Sequence, residues 1–512
     1  MGLIRTIFNK KGGGLGRPPS NSDYISSLLF YGNVPSGWSP TGVEEILSLS
    51  QLEDKGINGN SFDAISATSV ITVSGAGAEG DKIGFIVSTL SGSTDFGVYT
   101  VGNAPTVTTV ADGLVLLINS NTATHGYTAT NVSGVITLVA PKRAGKGANS
   151  NTNLFATIGT VALATTTDWG SGVVGVGSIY DVWYYHAKEY FRQISNGKLF
   201  IGIFPTPTVW DFKEIETIQN IANGEVRQFG FWDSTRTIVS NGLNDVTAIE
   251  AIYDTQFNTI IGRYRPFVAL YASDISAVVD INTLPDTTTF DAEHCSLVIG
   301  QDANAEGLEL YNSLGKSITT LGACLGAVSK ASVFEDIAWP EKFDMSVTGG
   351  ELDKVSLSNG QNLDGISQNE LVALKDKSYL FQIKRDSTAG TYNIDSLTAT
   401  IQTSDYFSIE NNRTIDKAVR LVNGFMTTKL ASPVYVQEDG TLQESTLQVF
   451  KQGSKKQLDT MEDAGEVSAS AVLIDPNQNV LSTSCIELSI VIVPVGVARE
   501  IKINIGYELN IT

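Results

Sequence analysis

Apolar and polar residues alternate without a break at the end of the chain. Ile501, Ile503, Ile505, Tyr507, Leu509 and Ile511 occupy the odd positions, and every even position between them is polar or Gly. A period of two predicts a strand with one face for burial and one for water. At ~3.3 Å per residue it spans roughly 36 Å. Such a strand must find a sheet, because unpaired N–H and C=O groups beside an apolar face invite aggregation. Two arrangements satisfy it. It pairs with Ile486–Val493 of its own chain through a turn at Pro494-Val495-Gly496, or it also, or instead, adds to a sheet on another copy.

Elsewhere the period divides the chain into regions. Residues 1–22 read as an extended arm: Leu3, Ile4, Ile7 and Phe8 suit a strand, Gly12-Gly13-Gly14 and Gly16 loosen the backbone, and Pro18-Pro19 stiffens the exit. The arm either orders against something outside its own short stretch or frays. Residues 67–166 show short alternating runs between Gly and Asn turns, with one helix near Ala111–Asn119, and read as a β-rich insertion. On either side, 23–66 and 167–368 read as one α/β domain. Its apolar runs at Leu199–Phe204, Val226–Phe231, Phe267–Tyr271 and Ser296–Ile299 predict a largely parallel sheet. Between them lie helical patterns, one opened by Asp211 and Glu214 at capping-box spacing, another carrying Val246, Ile249, Tyr253, Phe257 and Ile260. Residues 369–512 mix types, with a helical stripe at Ile415, Ala418, Val419, Val422 and Met426, a second helix over Leu447–Met461, and strands after Cys485. The expected fold class is multidomain, mixing α+β and α/β.

Composition narrows the function. An apolar fraction of 42% with 17% charged residues describes a packed chain rather than a disordered one. No window reaches the ~20 apolar residues of a membrane span, and the N-terminus lacks a secretory pattern. A soluble protein made in a cytoplasm, without membrane insertion, is the expectation. The net charge is −20, yet residues 1–22 hold Arg5, Lys10, Lys11 and Arg17 and no acid, so the rest carries −24. An acidic body argues against direct nucleic-acid contact. The basic arm suits phosphates or, with less to explain, the acidic body of a neighbouring copy.

Candidate chemistry is sparse. Gly75-Ala76-Gly77-Ala78-Glu79-Gly80 matches GxGxxG, but the sequence continues as a strand, so a hairpin turn accounts for its glycines. The glycines of 12–16 lack the GK[ST] ending of a phosphate loop. His125, His186 and His294 show no metal-ligand spacing. His294 and Cys295 are adjacent, and neighbours on a strand point to opposite faces, which disfavours a nucleophile–base pair. The aromatics Trp183, Tyr184, Tyr185, Tyr190 and Phe191 suit a core or a subunit contact. Cys295, Cys324 and Cys485 are expected as buried, reduced thiols. The sequence predicts no catalytic, cofactor or metal site.

The order of parts resembles the contractile tail sheath proteins of phages and related injection machines. The resemblance is carried by the arm Met1–Tyr24, Tyr190-Phe191-Arg192, Asn196-Gly197-Lys198-Leu199-Phe200-Ile201-Gly202, the helix from Asn411-Asn412-Arg413-Thr414-Ile415 to Leu430, and the closing strand Ile501–Ile511. Within the insertion, Tyr127-Thr128-Ala129-Thr130 and Gly134-Val135-Ile136-Thr137-Leu138 look like the small β-rich modules of phage structural proteins. The resemblance implies a sheath-like α/β core with a β-rich inserted domain and extended strand arms. It implies homo-oligomeric hexameric rings, stacked helically around a tail tube protein and bounded by baseplate and tail terminator proteins. Arms would add strands to neighbouring sheets, and contraction of a metastable lattice would drive the tube through the host envelope without a nucleotide or other cofactor. The virion tail, assembled in a bacterial cytoplasm, is the implied location. Sheaths of non-phage injection systems, baseplate proteins, adhesins and an enzyme with an unrecognised ligand site stand as alternatives.

Overall fold

A computed structural model describes residues 22–59, 66–89, 92–141, 148–171, 179–257, 264–386, 388–503 and 505–507. The arm positions Leu3, Ile4, Arg5, Ile7, Phe8, Lys10, Lys11 and Arg17, and the terminal Leu509 and Ile511, lie outside the described residues, as does Ile260.

The chain enters with β1 (Ser26–Tyr31), β2 (Val43–Ile46) and α1 (Leu49–Asp54). Then come β3 (Thr68–Gly75), β4 (Lys82–Thr89), β5 (Gly92–Thr100), α2 (Val107–Asn119), α3 (Thr122–His125), β6 (Thr128–Val132), β7 (Val135–Val139), β8 (Thr152–Ile158) and β9 (Ala162–Gly170). These make two antiparallel sheets, β6-β7-β3-β9 and β5-β4-β8, around a core that includes Ile71, Phe85, Leu114, Ile136 and Trp169. All members of that core fall between Ala67 and Trp169. Helix α2 starts four residues earlier than the apolar pattern suggests, because Thr106 and Thr109 cap each other's backbone N–H reciprocally.

The GxGxxG stretch is not a hairpin turn. It joins β3 and β4, which lie in different sheets. Gly77 and Gly80 have φ of +72° and +90°, a region open to glycine. Asp81 fixes the crossing by accepting the backbone N–H groups of Ala78 (3.0 Å), Thr160 (2.7 Å) and Val161 (3.1 Å).

The α/β layer resumes with α4 (Ile179–Gln193), β10 (Leu199–Phe204), α5 (Glu214–Ile221), β11 (Gln228–Thr237), α6 (Ile238–Phe257), β12 (Val268–Asp274), β13 (Cys295–Val298) and β14 (Gly300–Asp302). It continues through α7 (Glu306–Leu314), α8 (Leu321–Lys330), β15 (Val355–Leu357), α9 (Gln368–Asp376), β16 (Tyr379–Leu380), β17 (Gln382–Arg385) and β18 (Thr388–Asn393). The main sheet runs β16-β13-β12-β11-β1-β10-β2 and is parallel except for β2 at one edge. Its central strands are apolar on both faces because both are covered. Leu28 and Phe30 of β1 face α4 and α8, whereas Leu29 and Tyr31 face α5 and α6.

Two expectations change here. Helix α5 has no capping box: Lys213 stands at its N-cap without a side-chain bond, and Asp211 pairs with Lys213 instead. The expected boundary at 368/369 falls inside the α/β layer, since β16 joins the main sheet and Leu374, Phe381 and Ala399 belong to its core. A two-residue strand leaves no periodic signal.

The C-terminal unit holds α10 (Ile409–Thr427), α11 (Glu444–Asp463), β19 (Val467–Leu473), α12 (Val480–Thr483) and β20 (Ser489–Pro494). Its own core comprises Ala418, Val422, Leu458, Met461, Val467 and Val472. Among the described residues no helix is long and apolar enough to cross a membrane.

Candidate assembly site at the roots of the two chain ends

Residues 494–503 and 505–507 bear on the first of the two arrangements open to the terminal strand. Strand β20 pairs antiparallel with β19, from Val467↔Pro494 to Leu473↔Ser489. The strand partner of 489–494 lies upstream, and among the described residues no hairpin closes through 494–496. The described part of the terminal segment is neither strand nor buried: Ile501 and Ile503 are 77% exposed and Ile505 92%. Three branched apolar side chains thus stand in water, each forgoing roughly 1.5–3 kcal/mol of burial.

The β19–β20 sheet has two strands only, so each carries an outer edge without a strand partner among the described residues. One face packs on α10 and α11 through Val467, Val472 and Ile492. Leu473, Val491 and Val493 remain about half exposed. A twisted ribbon of this kind is a template for added strands.

Both ends of the described chain are held by the body, and helix α10 takes part in each hold. At the N-terminal root, Asp23 is ion-paired with Arg420 and, at 2.9 Å, with Lys417, while its carbonyl accepts from Arg413 Nη2 at 3.2 Å. Burial pushes the Asp23 carboxyl up, but Arg420 and Lys417 outweigh this and hold it below the usual range. Arg413 is fully buried and also donates to the carbonyls of Ala331 and Ser332 just after α8; desolvation lowers it to about 10, still a cation at neutral pH. Lys417 further bonds Glu466 at 2.6 Å, one residue before β19.

At the C-terminal root, Arg499 enters a set of three carboxylates. Its Nε donates to Asp395 (2.9 Å), its Nη2 to Glu410 on α10 (2.5 Å), and Asp336 lies 3.2 Å away. The guanidinium also sits over the Phe407 ring, 5.0 Å from its centroid. Lys375 approaches Asp395 at 3.4 Å. Three carboxylates against one guanidinium and one ammonium still leave negative charge in excess. Burial first, then Glu410 and Asp395, raise Asp336 to about 7.

A pH dependence follows. Burial chiefly also raises Glu351 to about 8, with Glu189 and Asp302 adding to it. A carboxyl whose folded pKa is raised stabilises the fold fully below its unfolded value and loses that contribution as pH climbs through the folded one. The paired acids with lowered values, such as Asp23, are already ionised above about pH 4. Thermal stability measured by circular dichroism should therefore fall from pH 5 to pH 8. Asp336→Asn should gain about 2 kcal/mol over the parent between pH 5 and pH 7, then hold a constant advantage above it.

Packed side chains surround two of the candidate histidines. His186 is fully buried beside Phe30 and Trp232, and desolvation lowers it to about 3, so it stays neutral. His294 stacks on Tyr253 and hydrogen-bonds Glu250, while Cys295 points into the core towards the Val246 carbonyl. The two side chains are not brought together. Trp183, Tyr185, Tyr190 and Phe191 are core. Cys295 and Cys324 are buried thiols, but Cys485 is exposed, since it falls in the irregular loop between α12 and β20. Among the described residues no group of three or more His, Cys, Asp or Glu is placed to hold a metal.

Open α/β sheets take ligands outside the carboxyl ends of their strands, where the strand order reverses. Here that position lies beyond β1 and β11 and is filled by Tyr31, Trp210, Phe212, Trp232 and Arg236, leaving a cavity of about 10 Å³. That holds about one water. Arg236 lies over Trp210 and pairs with Asp245.

The family model described as "DUF2586, C-terminal domain" matches residues 405–512, the stretch containing α10, α11, both strands and the terminal segment. No curated protein matches the sequence. Among solved structures, the anti-feeding prophage helical sheath in its contracted state is similar at 13% identity and a TM-score of 0.44, covering 67% of this chain and 84% of that one. The sheath tail protein from Listeria innocua is similar at 12% identity and 0.39, covering 93% and 96%. That from Desulfitobacterium hafniense is similar at 12% and 0.34, covering 96% and 100%.

Proposed function

We propose that the protein is a structural subunit of a contractile tail sheath. Copies polymerise as hexameric rings stacked helically around a tail tube, and contraction drives the tube through the host envelope. Tube, baseplate and tail terminator proteins are the partners, the virion tail is the location, and the chain is a structural protein rather than an enzyme.

One observation carries this reading. The same chain presents an exposed segment with alternating apolar side chains and, separately, a two-stranded sheet whose outer edges have no strand partner among the described residues. A donor and an acceptor on one molecule make head-to-tail contacts, which generate rings where the rotation closes and helical filaments where it does not. Strand exchange also tolerates movement: backbone hydrogen bonds stay made while the bodies rotate. The filled crevice at the sheet's reversal point supports a structural role over a ligand-binding one. A sheath of a non-phage injection system has the same geometry and is the second reading.

Deleting 1–16 or 500–512 should leave folded subunits that form no tubes by electron microscopy, whereas the full chain forms helical tubes. Normal tubes from both truncations would refute the proposal. Thermal-shift screens with NAD, ATP and common sugars should show no stabilisation; a shift of several degrees would point to an enzyme instead.

A further inference from the structure

We propose that Arg499 is the positioning residue that anchors the C-terminal arm, and that helix α10 ties this anchor, the N-terminal root and the acceptor sheet into one unit. The inference rests on the strand-exchange reading and adds what directs the exchange.

Between Pro494, where β20 ends, and Arg499 the chain has neither helix nor strand. Every described residue beyond Arg499 is exposed. Arg499 is therefore the last point at which the described chain is held by its own body. The grip comes from three separate segments: Asp336 after α8, Asp395 after β18 and Glu410 in the first turn of α10. An extended chain gripped by a planar guanidinium with several partners leaves in a defined direction, where a lysine would act as a point charge.

Helix α10 runs from this anchor to the other two parts. Glu410 holds Arg499; Arg413, Lys417 and Arg420 hold Asp23; Lys417 also holds Glu466 at the entry to β19. The helix's first half is buried in the α/β layer through Glu410, Asn412 and Thr414, and its second half packs in the C-terminal core through Ala418 and Val422. A pull on either arm thus reaches α10 directly, and the acceptor sheet moves with it. Fixing the arm's origin raises its effective concentration at an acceptor of fixed geometry.

The test labels the exposed Cys485 and a cysteine placed by Lys502→Cys with nitroxides in the full-length, unassembled protein, and compares Arg499, Arg499→Ala and Arg499→Lys. The expected result is a narrow distance distribution for Arg499, a distribution at least twice as broad for R499A, and an intermediate one for R499K, with thermal midpoints within a few degrees. The concentration needed for tube growth should rise about tenfold in R499A and recover partly in R499K. A narrow distribution in R499A overturns the anchor. A broad one with unchanged assembly overturns its role in directing exchange. Normal tubes from both the 1–16 and the 500–512 deletions would instead sink the strand-exchange reading, while the distances in the free subunit still decide the anchor.

Discussion

Gly322→Val should yield no folded protein, seen as loss of soluble expression and of a cooperative melt. Helix α8 passes so close to α4 that a Cβ at position 322 would lie 2.1 Å from the His186 carbonyl oxygen and 2.7 Å from its Cα. One turn on, a Cβ at Gly326 would meet the Tyr190 carbonyl at 2.7 Å. These obstacles are backbone, not the yielding tips of side chains, so the helices must separate. Their separation would open the core formed by Trp183, Tyr190, Leu321 and Leu325 against β1 and β11. Overpacking a tight core costs typically 1–3 kcal/mol per site and more where backbone must move, which outweighs the ~1 kcal/mol of helix propensity gained on removing glycine. Even Gly322→Ala should cost about 3 kcal/mol. Gly424 of α10 is the control: nothing lies within 4 Å of its added Cβ, so Gly424→Ala should stabilise by about 0.5–1 kcal/mol. Chemical denaturation of the two alanine variants measures both.

The second large effect falls on assembly and not on the subunit. Replacing Ile501, Ile503 and Ile505 together by Asp should leave the thermal midpoint of the free protein unchanged, because all three side chains are already in water. The same variant should fail to form tubes. Burying three isoleucines in an adjoining sheet contributes roughly 5 kcal/mol per donor strand, about four decades in an association constant, and three carboxylates reverse the sign of that term. Light scattering and electron microscopy read the assembly; a melting curve reads the subunit. Tubes at wild-type concentration would sink the donor role of the segment. A fallen midpoint would show that these residues pack on their own body.

Much of the scaffold was readable from local pattern. The apolar runs at 199–204, 226–231, 267–271 and 296–299 overlap β10, β11, β12 and β13 of the main sheet, and the stripe at Ala418 and Val422 lies in helix α10. Short-range features were less secure. Asp211 and Glu214 had capping-box spacing, but Asp211 was drawn to Lys213; the glycines of 75–80 turned the chain between sheets and not within one. Cys485 gave no hint that its loop left it exposed. Missed altogether were the residues that hold the two roots. Asp23, Arg413, Arg420, Arg499, Asp336, Asp395 and Glu410 each read along the chain as an ordinary surface charge.

The sequence by itself determined which segments become strands and helices, and that its last dozen residues carry an apolar face. Periodicity is a property of neighbours along a chain, and dihedral preference with side-chain alternation expresses it before any fold exists. Only the tertiary structure decided where that face is left and what grips its origin. Arg499 meets Asp395 and Glu410 across 104 and 89 residues of chain, and Arg420 meets Asp23 across 397. Charges that far apart acquire partners only when packing brings their segments together and shields them from water, so their role is a consequence of the folded body and is written in no local pattern.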